Sequence, residues 1–391
     1  MKKLLVAVGV ILCLQSVSAQ KSVNTELPNR LFSQGKEMYL NDNYAGAIHS
    51  LEEFRAKSKD AKAIQEADYI ILASMYYMGT PDITNNLKDY LEKYPESYHR
   101  NQISFYIGSS HFVQKDWKKA LYWFNQSDMD YLSPKEQEDY AYRTAYANLQ
   151  EGNKNDAKRL FGLLSRNSKT YKEPASYYLA YINFQEGEYA QAIPIFRSLK
   201  NKNEYRETAS FFLMQSSYLD GDLDGTISEG QDYLSSYPNT KNATEVYRLL
   251  GNSYYRLGNT SQSISNYEKY LAATETPFRD DMYQLAEAYY RTGTYNKTVD
   301  ALKHVASTSD LLGQAGYMLL GQSYLKINDR PNAIMAFDAA ARSSFDKGIS
   351  EEALYNYVVL MNSSGVSTFG EAITAAQRFL TEYPNSQYTG N

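Results

Sequence analysis

The sequence has a single cysteine, Cys13, only four histidines, and no long apolar run after its first 20 residues. Cys13 lies within the N-terminal apolar stretch, so residues 20–391 can form neither a disulfide nor a thiolate metal site. The lack of further apolar runs argues against a membrane span in those residues. The net charge of −5 argues against a nucleic-acid-binding surface. Packing must therefore hold the chain together, and a hydrophobic fraction of 43% is large enough for a core.

Recognisable catalytic motifs are also missing. The sequence contains no HExxH, GxSxG, P-loop or GxGxxG pattern. The histidines are too dispersed along the chain to form a metal site of usual spacing, and they are His49, His99, His111 and His304. We therefore predict a protein that is not an enzyme and that has no metal or cofactor.

The first 19 residues have the composition of a signal peptide. Lys2 and Lys3 precede an apolar stretch over residues 4–14, and small residues then lead to a cleavage position after Ala19. We predict export to the periplasm or cell envelope, with residues 20–391 as the mature chain. Lipid attachment at Cys13 is an alternative, although Leu12 is not the small residue that such processing prefers.

Turn signals recur every 34 to 37 residues through the rest of the chain. They are Gly152-Asn153, Gly187-Glu188, Gly221-Asp222, Gly258-Asn259, Gly293-Thr294 and Asn328-Asp329. Gly and Asn accept the left-handed conformation that ends a helix. Apolar residues at i, i+3, i+4 and i+7 precede each turn, which indicates one stripe of a helix. The unit is therefore helix A, a tight turn and helix B, and such a period predicts a solenoid.

These units resemble the tetratricopeptide repeat family. That family has a bulky residue, Leu, a small residue and Tyr on helix A, then Ala and an aromatic residue on helix B. One unit carries the pattern as Tyr317, Leu320, Gly321, Tyr324, Ala333 and Phe337. The resemblance implies an all-α, right-handed superhelical solenoid of about ten helix-turn-helix repeats, forming a single domain over residues 20–391. It also implies that the small residues Ala180, Gly251, Ala286 and Gly321 lie where helices approach closely. Residues 69–95 show no clear middle turn, and we expect that unit to be irregular.

The links between units resemble those of a smaller group within this family. The segments YLEKYPESYHR and FLTEYPNSQY are similar to those of bacterial envelope members, such as the outer-membrane assembly and cell-division coordinator types. This similarity implies an envelope role in binding other proteins and an association with an envelope membrane complex. The last link, residues 384–388, is followed by only three residues. We expect either that the chain continues beyond Asn391 or that a partner or second copy covers its last helix.

In this family, helix-A residues beside the packing stripe line a concave groove. Transferred by position, the predicted groove residues are Tyr177, Tyr181, Phe184, Tyr218, Arg248, Asn252, Tyr255, Arg256, Tyr283, Glu287, Tyr290 and Arg291. Tyrosine and arginine combine large contact area with hydrogen bonding, which suits binding hot spots. We predict an interaction scaffold that binds peptide or protein segments in this groove. The alternative is a glycan-binding repeat protein in which the groove tyrosines stack on sugars.

Overall fold

The regular structure in the computed structural model is entirely helical. The model describes residues 27–363 and 369–389, and no β-strand occurs within them. The predicted signal peptide with Cys13 and the chain end at Asn391 lie outside the described residues. The prediction of an all-α fold is confirmed.

Twenty α-helices follow one another along the described residues. In chain order they are α1 (residues 27–40), α2 (Tyr44–Lys57), α3 (Ala61–Tyr77), α4 (Thr84–Lys93), α5 (Arg100–Val113), α6 (Trp117–Phe124), α7 (Pro134–Gln150), α8 (Lys154–Asn167), α9 (Lys172–Gln185), α10 (Tyr189–Leu199), α11 (Arg206–Asp220), α12 (Leu223–Ser236), α13 (Ala243–Arg256), α14 (Thr260–Ala272), α15 (Arg279–Arg291), α16 (Tyr295–Val305), α17 (Leu311–Lys326), α18 (Arg330–Arg342), α19 (Lys347–Ser363) and α20 (Phe369–Glu382). Odd-numbered helices are the A helices of ten repeats and even-numbered helices are the B helices. A short 3₁₀ helix, Met129–Tyr131, precedes α7.

The contacts divide the chain into two compact units. Unit 1 is Met1–Ile182 and unit 2 is Asn183–Asn391. In unit 1 the A helices α3, α5 and α7 contact one another in order. In unit 2 the same holds from α11 through α13, α15 and α17 to α19, so the A helices of this unit form a continuous face. The predicted single repeat domain over residues 20–391 stays a prediction.

Each A helix from α1 to α17 ends in the same hydrogen-bonded turn. At the end of α13, the Gly258 N–H donates to the Tyr255 carbonyl and the Asn259 N–H donates to the Tyr254 carbonyl. This is the Schellman pattern, which requires a left-handed residue after the helix. Gly258 has φ 77°, and the other five predicted turns show the same conformation at Gly152, Gly187, Gly221, Gly293 and Asn328. The six predicted turns are therefore confirmed.

Three further turns of this kind were not predicted from the sequence. Asp42 and Lys115 adopt positive φ angles of 57° and 60°, although neither is glycine. Gly79, at φ 68°, ends α3 in the same way. Residues 69–95 therefore do have a middle turn, and the expected irregularity follows it, where Asp82 has φ 54°. Gly79 supplies that turn, and four further residues separate it from α4.

Small residues on the A helices face large residues on the following B helices. A Cβ atom added at Gly251 would lie 2.8 Å from Cδ1 of Tyr267, and one at Gly321 would lie 2.7 Å from Cδ1 of Phe337. These separations are shorter than a van der Waals contact, so only glycine fits. In the first pair, the Ser263 hydroxyl also donates to the Gly251 carbonyl at 2.9 Å. The predicted close approach at Gly251 and Gly321 is confirmed.

One repeat has this pairing with the sizes exchanged. On α11 the corresponding position holds Met214, which is fully buried, and on α12 the partner is Gly230. A Cβ atom at Gly230 would lie 3.2 Å from Sδ of Met214 and 2.9 Å from Cδ2 of Leu250. In this pair too, one large and one small residue face each other, on the opposite helices.

Candidate functional site

Most of the predicted groove residues lie on the A helices of unit 2. We call this set the A face, and it consists of Tyr218 on α11; Arg248, Asn252, Tyr255 and Arg256 on α13; and Tyr283, Glu287, Tyr290 and Arg291 on α15. Their spacing of three to four residues within a helix places them on one side of it. Because α11, α13 and α15 contact one another in order, these sides adjoin.

Arg248 and Asn252 belong to a charged network that joins α13 to α15. Arg248 donates from Nε and Nη2 to the two carboxylate oxygens of Glu245, each at 2.7 Å. Its Nη1 lies 3.7 Å from Oδ2 of Asp281, and the Asn252 side chain donates to Oδ1 of Asp281 at 3.3 Å. The Arg248 guanidinium also lies 5.3 Å from the ring centre of Phe278. These contacts fix both side chains within the fold.

Burial governs the titration of this network. Only 4% of the Asp281 side chain is exposed, and its burial raises the pKa of the carboxyl above the ordinary value despite the nearby arginine. The hydrogen bonds to Glu245 raise the pKa of Arg248 further above its already high value. Arg248 is thus a charged group held between two carboxyls and is not a free arginine of the groove.

A second set of contacts runs along the ends of the A helices. The Tyr255 hydroxyl donates to Oε2 of Glu287 on the next A helix. The Arg291 guanidinium lies 5.5 Å from the ring centre of Tyr255, and that of Arg256 lies 6.0 Å from the ring centre of Tyr218. Each arginine therefore lies over the tyrosine of the preceding A helix, at a distance that permits a cation–π interaction.

Tyr255 and Tyr283 of the A face remain protonated near neutral pH. Burial, together with the Glu287 carboxylate, raises the pKa of Tyr255 to about 12, and the same two causes raise the pKa of Tyr283 to about 12. Their hydroxyl groups are consequently hydrogen-bond donors. Tyr218, Tyr283 and Tyr290 are half-buried, so part of each side chain contacts solvent.

Arg256 and Arg291 are the exposed cations of the A face. Neither forms an ion pair with any residue that the structure describes, whereas Arg248 is paired. An exposed guanidinium that packs on an aromatic ring keeps donors for a carboxylate. These two side chains are therefore better placed to contact a partner than Arg248 or Asn252.

The remaining predicted groove residues come from α9. Within unit 1, Tyr177 and Tyr181 lie one helical turn apart with nearly parallel rings, whose centres are 6.4 Å apart. Within unit 2, Phe184 is half-buried and packs edge-on against Phe212 at 5.2 Å. Much of the Phe184 side chain is thus engaged in packing against Phe212.

Sequence reasoning missed three residues of this region. Glu245 and Asp281 stand in the first turns of α13 and α15, where acidic residues are common, so nothing in the pattern marks Asp281 as buried. Lys326 was also missed, although the sequence contains the signal. It is the last residue of α17, as Arg256 and Arg291 are the last residues of α13 and α15, and the three are spaced 35 residues apart.

The described residues contain neither a metal-ligand cluster nor a membrane-spanning helix. No group of three or more His, Cys, Asp or Glu side chains in residues 27–363 and 369–389 is arranged to hold a metal ion. None of the described helices combines the length and the apolar character needed to cross a membrane.

One family profile and several solved structures are similar to parts of this chain. A tetratricopeptide repeat profile matches residues 174–203. No curated protein matches the chain. The solved structure MamA AMB-1 is 19% identical over 46% of this chain and 96% of its own, with a TM-score of 0.40. MamA MSR-1 is 17% identical over 50% of this chain and 99% of its own, with a TM-score of 0.37.

A third structure covers more of the chain. A tetratricopeptide repeat protein from Parabacteroides merdae ATCC 43184 is 13% identical over 85% of this chain and 99% of its own, with a TM-score of 0.30. Over the residues that the structure describes, the chain is an all-α helical-repeat protein, and residues 174–203 match the tetratricopeptide repeat.

Proposed function

We propose that this protein is a non-enzymatic scaffold that binds peptide or protein segments on the A face of unit 2. The observation that carries the proposal is the continuity of that face, since its three helices α11, α13 and α15 contact one another in order. A continuous face lets one bound segment contact several repeats at once. Tetratricopeptide arrays are typically interaction scaffolds, and residues 174–203 match that repeat.

The side chains on this face support protein binding. Tyr218 and Tyr290 expose part of their surface, and Arg256 and Arg291 are exposed without an ion pair among the described residues. Tyrosine and arginine are the residue types most enriched among interface hot spots, because they bury a large area and still satisfy a hydrogen bond. A partner could bury these rings without first breaking an ion pair of the scaffold.

We further propose that the protein works in the bacterial cell envelope after export. The basis is the signal-like composition of residues 1–19 and the similarity of the inter-repeat links to those of envelope members of the family. A partner would then be an exported protein or the exposed part of an envelope membrane complex.

Affinity capture from native cells tests the binding surface. We expect the tagged chain to recover a partner, identified by mass spectrometry, and the variant Tyr255→Ala/Arg256→Ala/Tyr290→Ala to lose it. The matched control replaces two exposed tyrosines and one exposed arginine of unit 1, namely Tyr98, Tyr122 and Arg159. Circular dichroism must show equal helicity for both variants.

Two outcomes would contradict the proposal. If the A-face variant retains the partner, the binding surface is elsewhere. If the partner is lost equally from the unit 1 control, the effect is not specific to the A face. Recovery of a polysaccharide in place of a protein would favour the glycan-binding alternative, in which the same tyrosine rings stack on sugars.

A further inference from the structure

Three cations stand in the same register on successive A helices of unit 2. Arg256, Arg291 and Lys326 are the final residues of α13, α15 and α17, and all three are exposed. We call them the basic row. A cation in the last turn of a helix stabilises the helix dipole, which accounts for one such residue without any partner. What distinguishes these three cations further is that none of them forms an ion pair with a described residue.

The carboxylates that the structure describes do not pair with the basic row. No ion pair joins any of its three residues to another described residue. By contrast, many arginines of unit 2 are paired with carboxylates, and these are Arg197, Arg248, Arg279, Arg342 and Arg378. Glu287 stands one helical turn before Arg291, yet it accepts from Tyr255 and forms no ion pair with Arg291. The chain as a whole carries a net charge of −5, so the row is a local exception.

Aromatic rings hold two of these cations in place. Arg291 lies over Tyr255 and Arg256 lies over Tyr218, each on the preceding A helix. A guanidinium on a ring is restrained by the contact, while the N–H groups in its plane remain able to bind a carboxylate in a bidentate manner. The repeated arrangement therefore presents cations at fixed intervals.

The interval between the cations selects the conformation of a ligand. Contacting helices such as α13, α15 and α17 have axes about 8–10 Å apart. In the extended polyproline-II conformation every third side chain lies on the same face and the rise is about 3.1 Å per residue, so three residues span about 9 Å. Carboxylates at every third residue of an extended segment would thus meet successive members of the row.

We propose that the basic row binds an acidic segment of the partner polypeptide in the extended polyproline-II conformation, with carboxylates at positions i, i+3 and i+6. This inference rests on the proposed scaffold function and specifies the chemistry of its partner. Charge complementarity supports it, because an acidic segment is attracted to the row and repelled by the acidic remainder of the chain. The tyrosines beside the row would contact the residues between the carboxylates.

A pair of isomeric peptides tests the spacing. Both are labelled nine-residue Gly/Ser peptides with three Glu residues, placed at positions 2, 5 and 8 in one and at positions 4, 5 and 6 in the other. Binding to the full chain is measured by thermophoresis from micromolar to millimolar peptide. Two additional exposed ion pairs should make the spaced peptide bind about fivefold more tightly, and added salt should weaken this preference.

Charge reversal tests the location of the site. Arg256→Glu/Arg291→Glu/Lys326→Glu should weaken binding of the spaced peptide at least about tenfold. The matched control changes the net charge equally at Lys241, Lys269 and Lys347, which are exposed residues outside the row, and it should retain the preference. Circular dichroism of both variants reports whether they fold.

Several results would overturn the inference. Equal binding of the two isomers would show that the spacing of the carboxylates has no role. An equal loss of peptide binding in the control variant would show that the basic row is not the binding site. Tighter binding of a helical peptide with Glu at every seventh residue, or of an acidic oligosaccharide, would assign the row to another ligand class. If the peptides fail while affinity capture still depends on Tyr255 and Tyr290, only the acidic-segment inference fails and the scaffold function stands.

Discussion

Enlarging Gly251 should destabilise unit 2 by forcing α13 away from α14. A Cβ atom alone would lie 2.8 Å from Cδ1 and 2.9 Å from Cγ of Tyr267, whose side chain is almost completely buried. Alanine is favoured over glycine in a helix by about 1 kcal/mol, whereas overpacking costs about 1–3 kcal/mol. We therefore expect Gly251→Ala to lower the free energy of unfolding by about 1 kcal/mol.

The larger substitution should have a correspondingly larger effect. Gly251→Leu adds three more carbon atoms at the same contact, and we expect a loss of about 3 kcal/mol. For a domain of this size that loss lowers the melting temperature by roughly 6–12 °C. Thermal and urea unfolding followed by circular dichroism would measure both variants.

The structure offers a matched control and a compensating change. A Cβ atom at Gly162, inside α8, would meet only Arg166 at 4.0 Å, so Gly162→Ala should stabilise unit 1 by about 0.5–1 kcal/mol. Gly251→Met combined with Tyr267→Gly would reproduce the exchanged sizes of Met214 and Gly230. Its loss should be smaller than the sum of the single losses by about 1–2 kcal/mol. Unchanged melting of Gly251→Leu, or strict additivity in the double variant, would refute the packing argument.

Two further tests concern buried polar groups of unit 1. Glu136 accepts hydrogen bonds from Tyr106 at 2.7 Å, Tyr77 at 3.1 Å and the Ser133 backbone at 2.9 Å. Glu136→Ala should lower the free energy of unfolding by about 3 kcal/mol, measured in urea, and a loss near zero would contradict this. Burial lowers the pKa of His111, so the unfolded chain binds the proton first and stability should fall as pH drops below about 6.5. His111→Gln should reduce this fall between pH 7.5 and 5.5, and an identical pH profile would exclude His111 as its source.

Local sequence determined the repeat and its turns. Glycine or asparagine at the end of an A helix adopts the left-handed conformation without strain, so Gly258 and Asn328 identify their turns from residue type alone. Lys115 does the same in the structure, but lysine carries no such preference. At Lys115 the packing of α5 against α6 imposes the left-handed conformation, so the residue type does not need to favour it.

Helix periodicity also determined which residues share a face. The spacing of Tyr255, Arg256, Tyr290 and Arg291 placed them beside the packing stripe, and the small residue Gly251 marked a close helix contact. Lys326 was predictable in the same way, because it repeats the register of Arg256 and Arg291. These features depend on the geometry within one repeat, which the order of residues specifies.

Only the tertiary structure decided how charges pair between repeats. Arg248 and Asp281 are 33 residues apart, and Glu136 accepts from tyrosines on two earlier A helices. Such contacts depend on how one repeat rotates and shifts against the next, and this is set by the summed packing of many side chains. For that reason the sequence determined that the A face contains arginines, whereas the packing of repeats decided that Arg248 is held in a buried network and Arg256 is left exposed.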